Sequence, residues 1–354
     1  MRQQHECEAC QLADRGYMLY FCKTLDISFL DTYAAAAAAH EWRQVDEGMY
    51  WMTESLFYDM MDYLLAHYEE DDVRAMPAGP LDSPFDPSSM RPIQAFRGER
   101  EASWVDDVIR TRSLLTYYQP ILARKNNRME IIGYELLTRG IDPDGHIISP
   151  FHLFEAARLR NRLFALDRAC RLEAVKNSTC IGTDQMVFIN FLPTAIYNPE
   201  HCLASTCRMI EQAGLRPEQI VFEIVESDEI KNVEHLKSIL RYYQRQGFKY
   251  ALDDVGTGYN SLRLLSELEP DVVKLAMEFA NGISSDPAKQ RTAKAILELS
   301  RELNAKPLAE GVESATDFHF LCEMGYELFQ GYYFGKPAAK PLLALPPTFI
   351  HPTG

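Results

Sequence analysis

The sequence predicts an α/β protein, in which a barrel of about eight strands and eight helices follows a small N-terminal α/β domain. Two observations support this prediction. From about residue 113 onward, short apolar runs alternate with amphipathic segments, a pattern typical of a largely parallel sheet. The alternation lasts for roughly 240 residues, which is the usual length of such a barrel. A doubly wound open sheet is the alternative with the same alternation.

The N-terminal part of the chain is predicted to be a separate domain. The apolar run 16–21 is typical of a buried strand, and residues 56–68 have helical periodicity. Five prolines in the segment 77–92 predict a linker, because proline disfavours both helices and central strands. The predicted divisions are a regulatory or sensor domain (residues 1–95), a connector helix (96–112) and the barrel (113–354).

Within the barrel, the predicted strands are short apolar runs with helices between them. Glycines after amphipathic segments predict that helices end at Gly214 and Gly247, and Asp286 followed by Pro287 predicts a helix start. The predicted strands comprise residues 131–134, 186–190, 220–224, 250–253, 272–275, 307–310 and 328–330.

Polar residues stand at or near the carboxyl ends of these runs. At any single strand end, such a residue is usually a rim residue that meets solvent. Seven strand ends in register are different, because the carboxyl ends of parallel barrel strands converge on one face, where active sites are built. The candidate site residues are Glu135, Asn190, Glu223, Asp253, Asp254, Lys274, Glu310 and Gln330.

The residue types in this set predict a metal-dependent phosphodiesterase. Five carboxylates in one pocket repel one another unless cations neutralise them, and hard oxygen ligands select Mg²⁺ or Mn²⁺. Asp253 and Asp254 are adjacent and can reach two ions, and Lys274 can hold developing negative charge. Two ions that act on an in-line displacement are typical of phosphodiester hydrolysis.

The net charge of the chain is −15, so its surface as a whole repels DNA and anionic membranes. An anionic substrate therefore needs a locally positive site, which metal ions and Lys274 would supply. No apolar run is long enough to span a membrane, and the polar N-terminal residues lack the apolar segment of a secretion signal. We therefore expect a cytoplasmic protein.

Several motifs resemble those of the EAL family of cyclic di-GMP phosphodiesterases, in the family's order. The segment YELLTR is similar to the motif that gives the family its name, with Leu136 in place of alanine, and DDVGTGY is similar to the family's DDFGTGY. The resemblance covers about residues 113–340. Its motifs lie at residues 134–139, 222–227, 253–259, 309–313 and 330–337.

The resemblance implies a modified TIM barrel, the EAL domain, that converts cyclic di-GMP to linear pGpG with two Mg²⁺ or Mn²⁺ ions. It implies that Lys274, a catalytic residue together with Glu310, orients the attacking water and stabilises the transition state, and that Arg139 binds a substrate phosphate. The implied ligands of the first ion are Glu135, Asn190, Glu223 and Asp253, and those of the second are Asp253, Asp254 and Glu310.

The resemblance also implies supporting and regulatory residues. Glu313 and Gln330 would line the substrate site behind the metal ligands. The loop that follows the paired aspartates would couple to dimerisation, which implies a homodimer formed through the EAL domain. The loop-control residues are Glu226, Gly256, Thr257 and Gly258.

The chain departs from the family pattern near the lysine. Ala276 stands where the family commonly has an aspartate, two residues after Lys274. Three other positions also depart from the family pattern: Val225, Val255 and Leu192, the last of which lies in the segment after Asn190. None of these departures removes an implied metal ligand. Ala276 keeps open the alternative of a weakly active or inactive cyclic di-GMP receptor or protein-interaction module.

Cysteines near the N-terminus have the spacing of a zinc or redox site. Cys7 and Cys10 form a C-x₂-C pair, and Cys22 follows a dozen residues later, but a second C-x₂-C pair is absent. Unpaired thiols near a chain terminus are the alternative to a metal site here.

Overall fold

The computed structural model describes residues 15–22, 25–30, 40–80, 84–125, 128–196, 198–225, 233–257 and 261–345. The chain divides into two compact units. The N-terminal unit consists of the described residues of 11–110 together with 155–162, and the barrel unit contains those of 111–154 and 163–354. Cys7 and Cys10 lie outside the described residues, and Cys22 is half-buried in the N-terminal unit.

The N-terminal unit is an antiparallel sheet with a helix packed against it. Helix α1 begins after Thr53, whose side chain accepts a hydrogen bond from the backbone N–H of Leu56, and it buries Phe57, Met60, Met61 and Leu64. The strand predicted at 16–21 and the helix predicted at 56–68 are both present. The strands, in the order β2-β3-β1-β4-β5, are β1 Gly16–Phe21, β2 Trp42–Asp46, β3 Met49–Thr53, β4 Val73–Ala78 and β5 Arg91–Pro92, and α1 is Glu54–His67.

The proline-rich segment 77–92 differs from the predicted linker at both ends. Pro77 belongs to β4, opposite Tyr17, and Pro92 pairs with Arg74 at the edge of the sheet. Pro77 lies beyond Arg74 and Ala75, the two residues that pair with β5, so β4 has a paired strand on only one side at this position, where proline is tolerated in sheets.

The connector predicted as a single helix over 96–112 is two short helices, α2 Arg97–Glu101 and α3 Trp104–Thr111. The first helix ends where the backbone N–H groups of Ala102 and Ser103 bond to Gly98 and Arg100. The second helix begins at Trp104, and its residues Val105, Val108 and Ile109 are buried.

A buried ion-pair network lies inside the N-terminal unit. Its centre is Arg160, which follows helix α4 (Pro150–Leu159) and is fully buried. The guanidinium donates to both carboxylate oxygens of Glu54, at 2.8 and 2.7 Å, and to Asp106 Oδ2 at 2.6 Å. It also donates to the hydroxyl of Tyr58 at 2.6 Å. This arginine neutralises two carboxylates that are largely removed from water.

We expect Arg160→Met to lower the free energy of unfolding by about 3–5 kcal/mol, because it leaves the largely buried carboxylate of Glu54 without its cation and leaves Asp106 with Arg162 as its remaining cation. Urea unfolding of the full chain measures the loss. Arg110→Met is the matched control, because Arg110 pairs with Asp107 on an exposed surface, where an ion pair contributes little. A loss for Arg160→Met as small as that for the control would contradict the assignment.

The barrel unit is a closed sheet of eight strands. Its order is β6-β14-β13-β12-β11-β10-β9-β7, and β7 pairs with β6 to close the ring, while the short β8 flanks β7. The pairings around the ring are parallel except those of β6, which is antiparallel to both β7 and β14. The strands are β6 Leu114–Lys125, β7 Arg128–Ile141, β8 Ile147–Ile148, β9 Met186–Phe191, β10 Ile220–Val225, β11 Lys249–Val255, β12 Val272–Leu275, β13 Lys306–Ala309 and β14 Leu328–Phe329.

Helices surround the ring. They are α5 Leu163–Asn177, α6 Pro199–Cys202, α7 Ala204–Gln212, α8 Val233–Arg245, α9 Ser261–Leu268, α10 Met277–Ala280, α11 Pro287–Glu302 and α12 Ala315–Met324. Helix α11 begins as predicted, since the Asp286 side chain accepts from two backbone N–H groups and Pro287 is in the first turn. Among the described residues, no helix combines the length and the apolar character that a membrane crossing needs.

The barrel strands are apolar on both faces because both faces are buried. Outward side chains pack against the helices, as in the stacked rings of Phe222 and Tyr243, whose centroids are 4.0 Å apart. Inward side chains form a separate layer inside the ring, which we call the inner layer. It consists of Ile121, Ala123, Phe188, Val221, Ala251, Val272, Leu308 and Leu328.

Candidate active site

The candidate residues extend the inner layer toward one end of the barrel. Side chains two positions apart on a strand lie on the same face. On six parallel strands, β9 to β14, a polar residue comes two positions after a member of the inner layer, so these residues belong to one mouth of the ring. The pairs are Phe188 and Asn190, Val221 and Glu223, Ala251 and Asp253, Val272 and Lys274, Leu308 and Glu310, and Leu328 and Gln330.

Lys274 lies at the centre of this mouth. Its side chain is fully buried, and its Nζ contacts four carboxylates. The distances are 2.5 Å to Glu310 Oε1, 2.7 Å to Glu223 Oε1, 3.1 Å to Asp253 Oδ1 and 3.5 Å to Glu135 Oε2. A single ammonium is therefore surrounded by four acidic side chains.

Amides hold Glu135 from two sides. Its Oε1 accepts a hydrogen bond from Asn190 Nδ2 at 2.8 Å, and its Oε2 accepts one from Gln330 Nε2 at 2.6 Å. The same Nε2 donates to Gln119 Oε1 at 3.1 Å. Both oxygens of this carboxylate are thus tethered by side chains from other strands.

Asp253 and Asp254 face the site through an irregularity in strand pairing. Leu252 pairs with Val273 and Val255 pairs with Leu275, so the two aspartates oppose the single residue Lys274 on β12. Such a bulge re-aims side chains. Asp254 has a positive φ of 53° and donates its backbone N–H to Asp253 Oδ1 at 3.0 Å.

The backbone just after the aspartates requires glycine. Gly256 has a φ of +115°, and a Cβ at this position would lie 2.7 Å from the ring of Phe279. Thr257 donates from its hydroxyl to the carbonyl of Asp254 at 3.0 Å. These contacts tie the start of the predicted loop to Asp254.

The buried carboxylates resist ionisation. Burial, and then repulsion from Glu135, raise the pKa of Glu223 well above its ordinary value. Burial and repulsion from Asp253 raise the pKa of Glu310 well above its ordinary value as well, and the same two causes raise the pKa of Asp254. Each of these groups would ionise more readily if a further cation were bound.

Lys274 and Glu135 are shifted toward their charged forms. Burial lowers the pKa of Lys274, but the surrounding carboxylates, first Asp253 and then Glu135, outweigh burial and raise it well above its ordinary value. Burial opposes the ionisation of Glu135, but the Lys274 ammonium and the amides of Gln330 and Asn190 outweigh it and lower the pKa. The raised pKa favours the ammonium form of Lys274, which is a hydrogen-bond donor.

The residues present fit divalent cations. Glu223 is fully buried, and its Oε2 has no hydrogen-bond partner in the described part of the chain, which is costly without a cation. Asp253, Asp254 and Glu310 offer oxygens that all lie within 4.8 Å of one another. Carboxylate and amide oxygens are the ligands that Mg²⁺ and Mn²⁺ prefer.

The other predicted residues differ in burial, and two of them lie outside the described ranges. Arg139 is half-buried on β7, where its guanidinium lies 5.4 Å from the ring centroid of Tyr117. Glu313 is exposed, and Gln330 is buried beside Glu135. Glu226 and Gly258 lie outside the described residues.

The sequence interpretation did not identify Gln119. It lies on β6, directly opposite Glu135 in the strand register. The available signal is a single glutamine within a strongly apolar run, but this run is not among the strands predicted from the sequence.

Comparisons with known proteins agree with the predicted resemblance. A family model for the EAL domain matches residues 102–337. The protein named "Probable cyclic di-GMP phosphodiesterase PdeG" from Escherichia coli K12 is 28% identical over 234 residues, which are 65% of this chain and 45% of PdeG. Cyclic di-GMP phosphodiesterase PdeR from the same organism is 28% identical over 244 residues, 67% of this chain and 36% of PdeR. The chain thus spans less than half the length of these curated relatives.

A solved structure matches the barrel more completely. A standalone EAL protein from Vibrio cholerae O395, in its c-di-GMP-bound form, is 36% identical with a TM-score of 0.59. The match covers 67% of this chain and 97% of that protein's chain. Since the family model matches more than half of the chain and the closed barrel has the family's fold, this chain belongs to the EAL domain family.

Proposed function

We propose that this protein hydrolyses cyclic di-GMP to linear pGpG with two Mg²⁺ or Mn²⁺ ions. The observation that carries the proposal is the set of buried carboxylates around Lys274 at one mouth of an EAL-family barrel. The names of the relatives PdeG and PdeR support the substrate class.

The donor groups divide into two overlapping sets. The first ion would be held by the groups nearest Glu135, and the second by the three carboxylates whose oxygens are mutually close. Asp253 would belong to both sets. The first set is Glu135, Asn190, Glu223 and Asp253, and the second is Asp253, Asp254 and Glu310.

When bound, such ions supply Lewis acidity and a nucleophilic water. Lys274 would hold the water in place and stabilise negative charge on the phosphoryl oxygens, because its raised pKa keeps it protonated and able to donate. A general base would be a carboxylate of the site, and Glu310 is the one nearest to the ammonium that would hold the water, with its Oε1 2.5 Å from Lys274 Nζ. Arg139 would bind a substrate phosphate.

Incubation of the full chain with cyclic di-GMP and Mn²⁺ or Mg²⁺ tests the proposal, with chromatography to detect pGpG. Asp253→Asn should abolish product formation, and Asp142→Asn is the control because Asp142 pairs with His146 on the surface. Binding of cyclic di-GMP without any product would instead support a receptor. Ala276 is the feature that favours this second function, since it is buried directly after β12, where it supplies no carboxylate.

We expect saturating Mn²⁺ to stabilise the chelator-treated protein by about 2.7 kcal/mol at a concentration 100 times the dissociation constant. For a unit of this size, that gain raises the melting temperature by about 5–10 °C. Differential scanning calorimetry measures the shift. Asp253→Asn should show less than half of it, and an equal shift in this variant would place the stabilising ion elsewhere.

The wider organisation is also part of the proposal. The N-terminal unit has its own core, centred on Tyr17, Phe57 and Phe96, which supports a separate domain, and we propose that residues 1–95 regulate the barrel. We propose that the predicted divisions 96–112 and 113–354 are the connector and the catalytic barrel. A homodimer formed through the barrel and a cytoplasmic location complete the proposed function.

A further inference from the structure

Gln119 occupies a position at the mouth that the parallel strands cannot supply. It lies on β6 two residues before Ile121, a member of the inner layer, so its side chain is on the inner face. Because β6 is antiparallel to its neighbours, the mouth meets the N-terminal half of this strand. Gln119 is directly opposite Glu135 in the register.

Gln119 anchors the amide of Gln330. Both hydrogens of Gln330 Nε2 have acceptors, Glu135 Oε2 at 2.6 Å and Gln119 Oε1 at 3.1 Å. Two acceptors fix the plane of an amide, whereas one leaves it free to turn about that hydrogen bond. Gln330 Oε1 is buried and has no hydrogen-bond partner among the described residues, so both anchors are at Nε2.

This anchor matters because Glu135 has a competing partner. Its Oε2 is 3.5 Å from Lys274 Nζ, the longest of the four carboxylate contacts of that ammonium. If the amide of Gln330 turned away, the attraction of opposite charges would draw Glu135 toward Lys274. A carboxylate paired closely with the ammonium is less available to a metal ion.

We infer that Gln119 is a positioning residue for the metal site. By fixing Gln330, it keeps Glu135 away from Lys274 and oriented for the first ion. The inference rests on the proposed function, in which Glu135 is a metal ligand. Groups that orient metal ligands in this way typically change metal affinity by about 10–100-fold.

Titration calorimetry of Mn²⁺ into the chelator-treated full chain tests the inference. Gln119→Met keeps the size of the side chain and removes the acceptor, and we expect Mn²⁺ affinity to fall by about tenfold. Gln330→Met should cause a similar loss. Because Gln119 acts through Gln330, adding Gln119→Met to Gln330→Met should cause little further loss.

Gln185→Met is the matched control. Gln185 is also half-buried and has a hydrogen-bonded side chain, which donates to Ile131 O and accepts from Gly182 N, but it lies before β9 at the other end of the barrel. It should leave Mn²⁺ affinity unchanged. Gln119→Asn provides a second test if Gln119→Met does not fold, because it keeps an amide but withdraws it from Gln330, and it should also weaken binding.

The outcomes separate this inference from the proposed function. Unchanged Mn²⁺ affinity in Gln119→Met or Gln119→Asn, with normal binding by the wild type, would overturn the role of Gln119 alone. Additive losses in the double variant would also overturn it, because Gln119 would then act independently of Gln330. Failure of the wild-type protein to bind Mn²⁺ would overturn the metal site and this inference together.

Discussion

Lys274→Met should lower the turnover of cyclic di-GMP by about 100–1,000-fold, the effect typical of losing one donor that stabilises the transition state. The substitution removes the ammonium that contacts four carboxylates and keeps a side chain of similar length. Mn²⁺ binding should persist or become tighter, because the ammonium competes with metal ions for the same oxygens. Steady-state kinetics and calorimetry measure the two effects separately.

The same substitution should destabilise the metal-free protein by about 3–5 kcal/mol, because it leaves buried carboxylates without a cation. Mn²⁺ should restore most of this loss by supplying the missing positive charge. Lys176→Met is the control, since Lys176 is largely exposed beside Glu173 and should affect neither activity nor stability. Turnover within tenfold of the wild type, with Mn²⁺ bound, would show that Lys274 is not a catalytic residue.

Glu223→Gln should stabilise the metal-free protein while removing its activity. Glu223 is fully buried, and its Oε2 lacks a hydrogen-bond partner in the described ranges. Replacing the carboxylate with an amide relieves repulsion from its acidic neighbours, and Lys274 keeps three other carboxylate contacts. We expect a gain of about 1–3 kcal/mol at neutral pH, the usual cost of a buried acceptor without a partner, and a loss of turnover of at least about 100-fold.

The gain should depend on pH in a defined direction. The pKa of Glu223 is raised in the folded state, so the unfolded chain releases this proton first as pH rises. The contribution of Glu223 to stability is therefore fully present below its ordinary pKa and is lost as pH rises through the raised pKa. Glu223→Gln removes this loss. The metal-free variant should therefore be no more stable than the wild type near about pH 4 and more stable than the wild type near about pH 8.

Thermal unfolding with and without Mn²⁺ checks this prediction. Saturating Mn²⁺ should stabilise the wild type more than the variant and so reduce or reverse the difference. Glu130→Gln is the control, because Glu130 lies on the same strand as Glu135 but pairs with Lys125 at the surface. A metal-free Glu223→Gln protein that melts below the wild type would contradict the assignment of Glu223 as a destabilising buried acid.

Much of the barrel was predictable because its signals are local. A strand buried on both faces needs a continuous apolar run, and the polar residue that ends the run is visible in the sequence. The predicted runs 186–190, 220–224 and 272–275 coincide with β9, β10 and β12 to within one residue. The structure brings Glu135, Asn190, Glu223, Asp253, Lys274, Glu310 and Gln330 to one mouth.

Gln119 shows where strand-end reasoning stops. The rule that active-site residues follow the carboxyl ends of strands assumes parallel neighbours. Strand β6 runs in the opposite direction, so its residue at the mouth comes before the inner-layer residue Ile121. Nothing in the local sequence specifies this direction, which depends on pairing with β7 and β14.

The sequence by itself determined the family, the alternation of strands and helices, and the residue types at the strand ends, because burial and polarity are recorded position by position. Tertiary structure alone decided the direction of β6, the bulge that places Asp253 and Asp254 opposite Lys274, and the pairing of Pro77 within β4. Each of these depends on the register between strands that are distant along the chain. Register is set by hydrogen bonds and packing between those strands, which become defined only when the sheet closes.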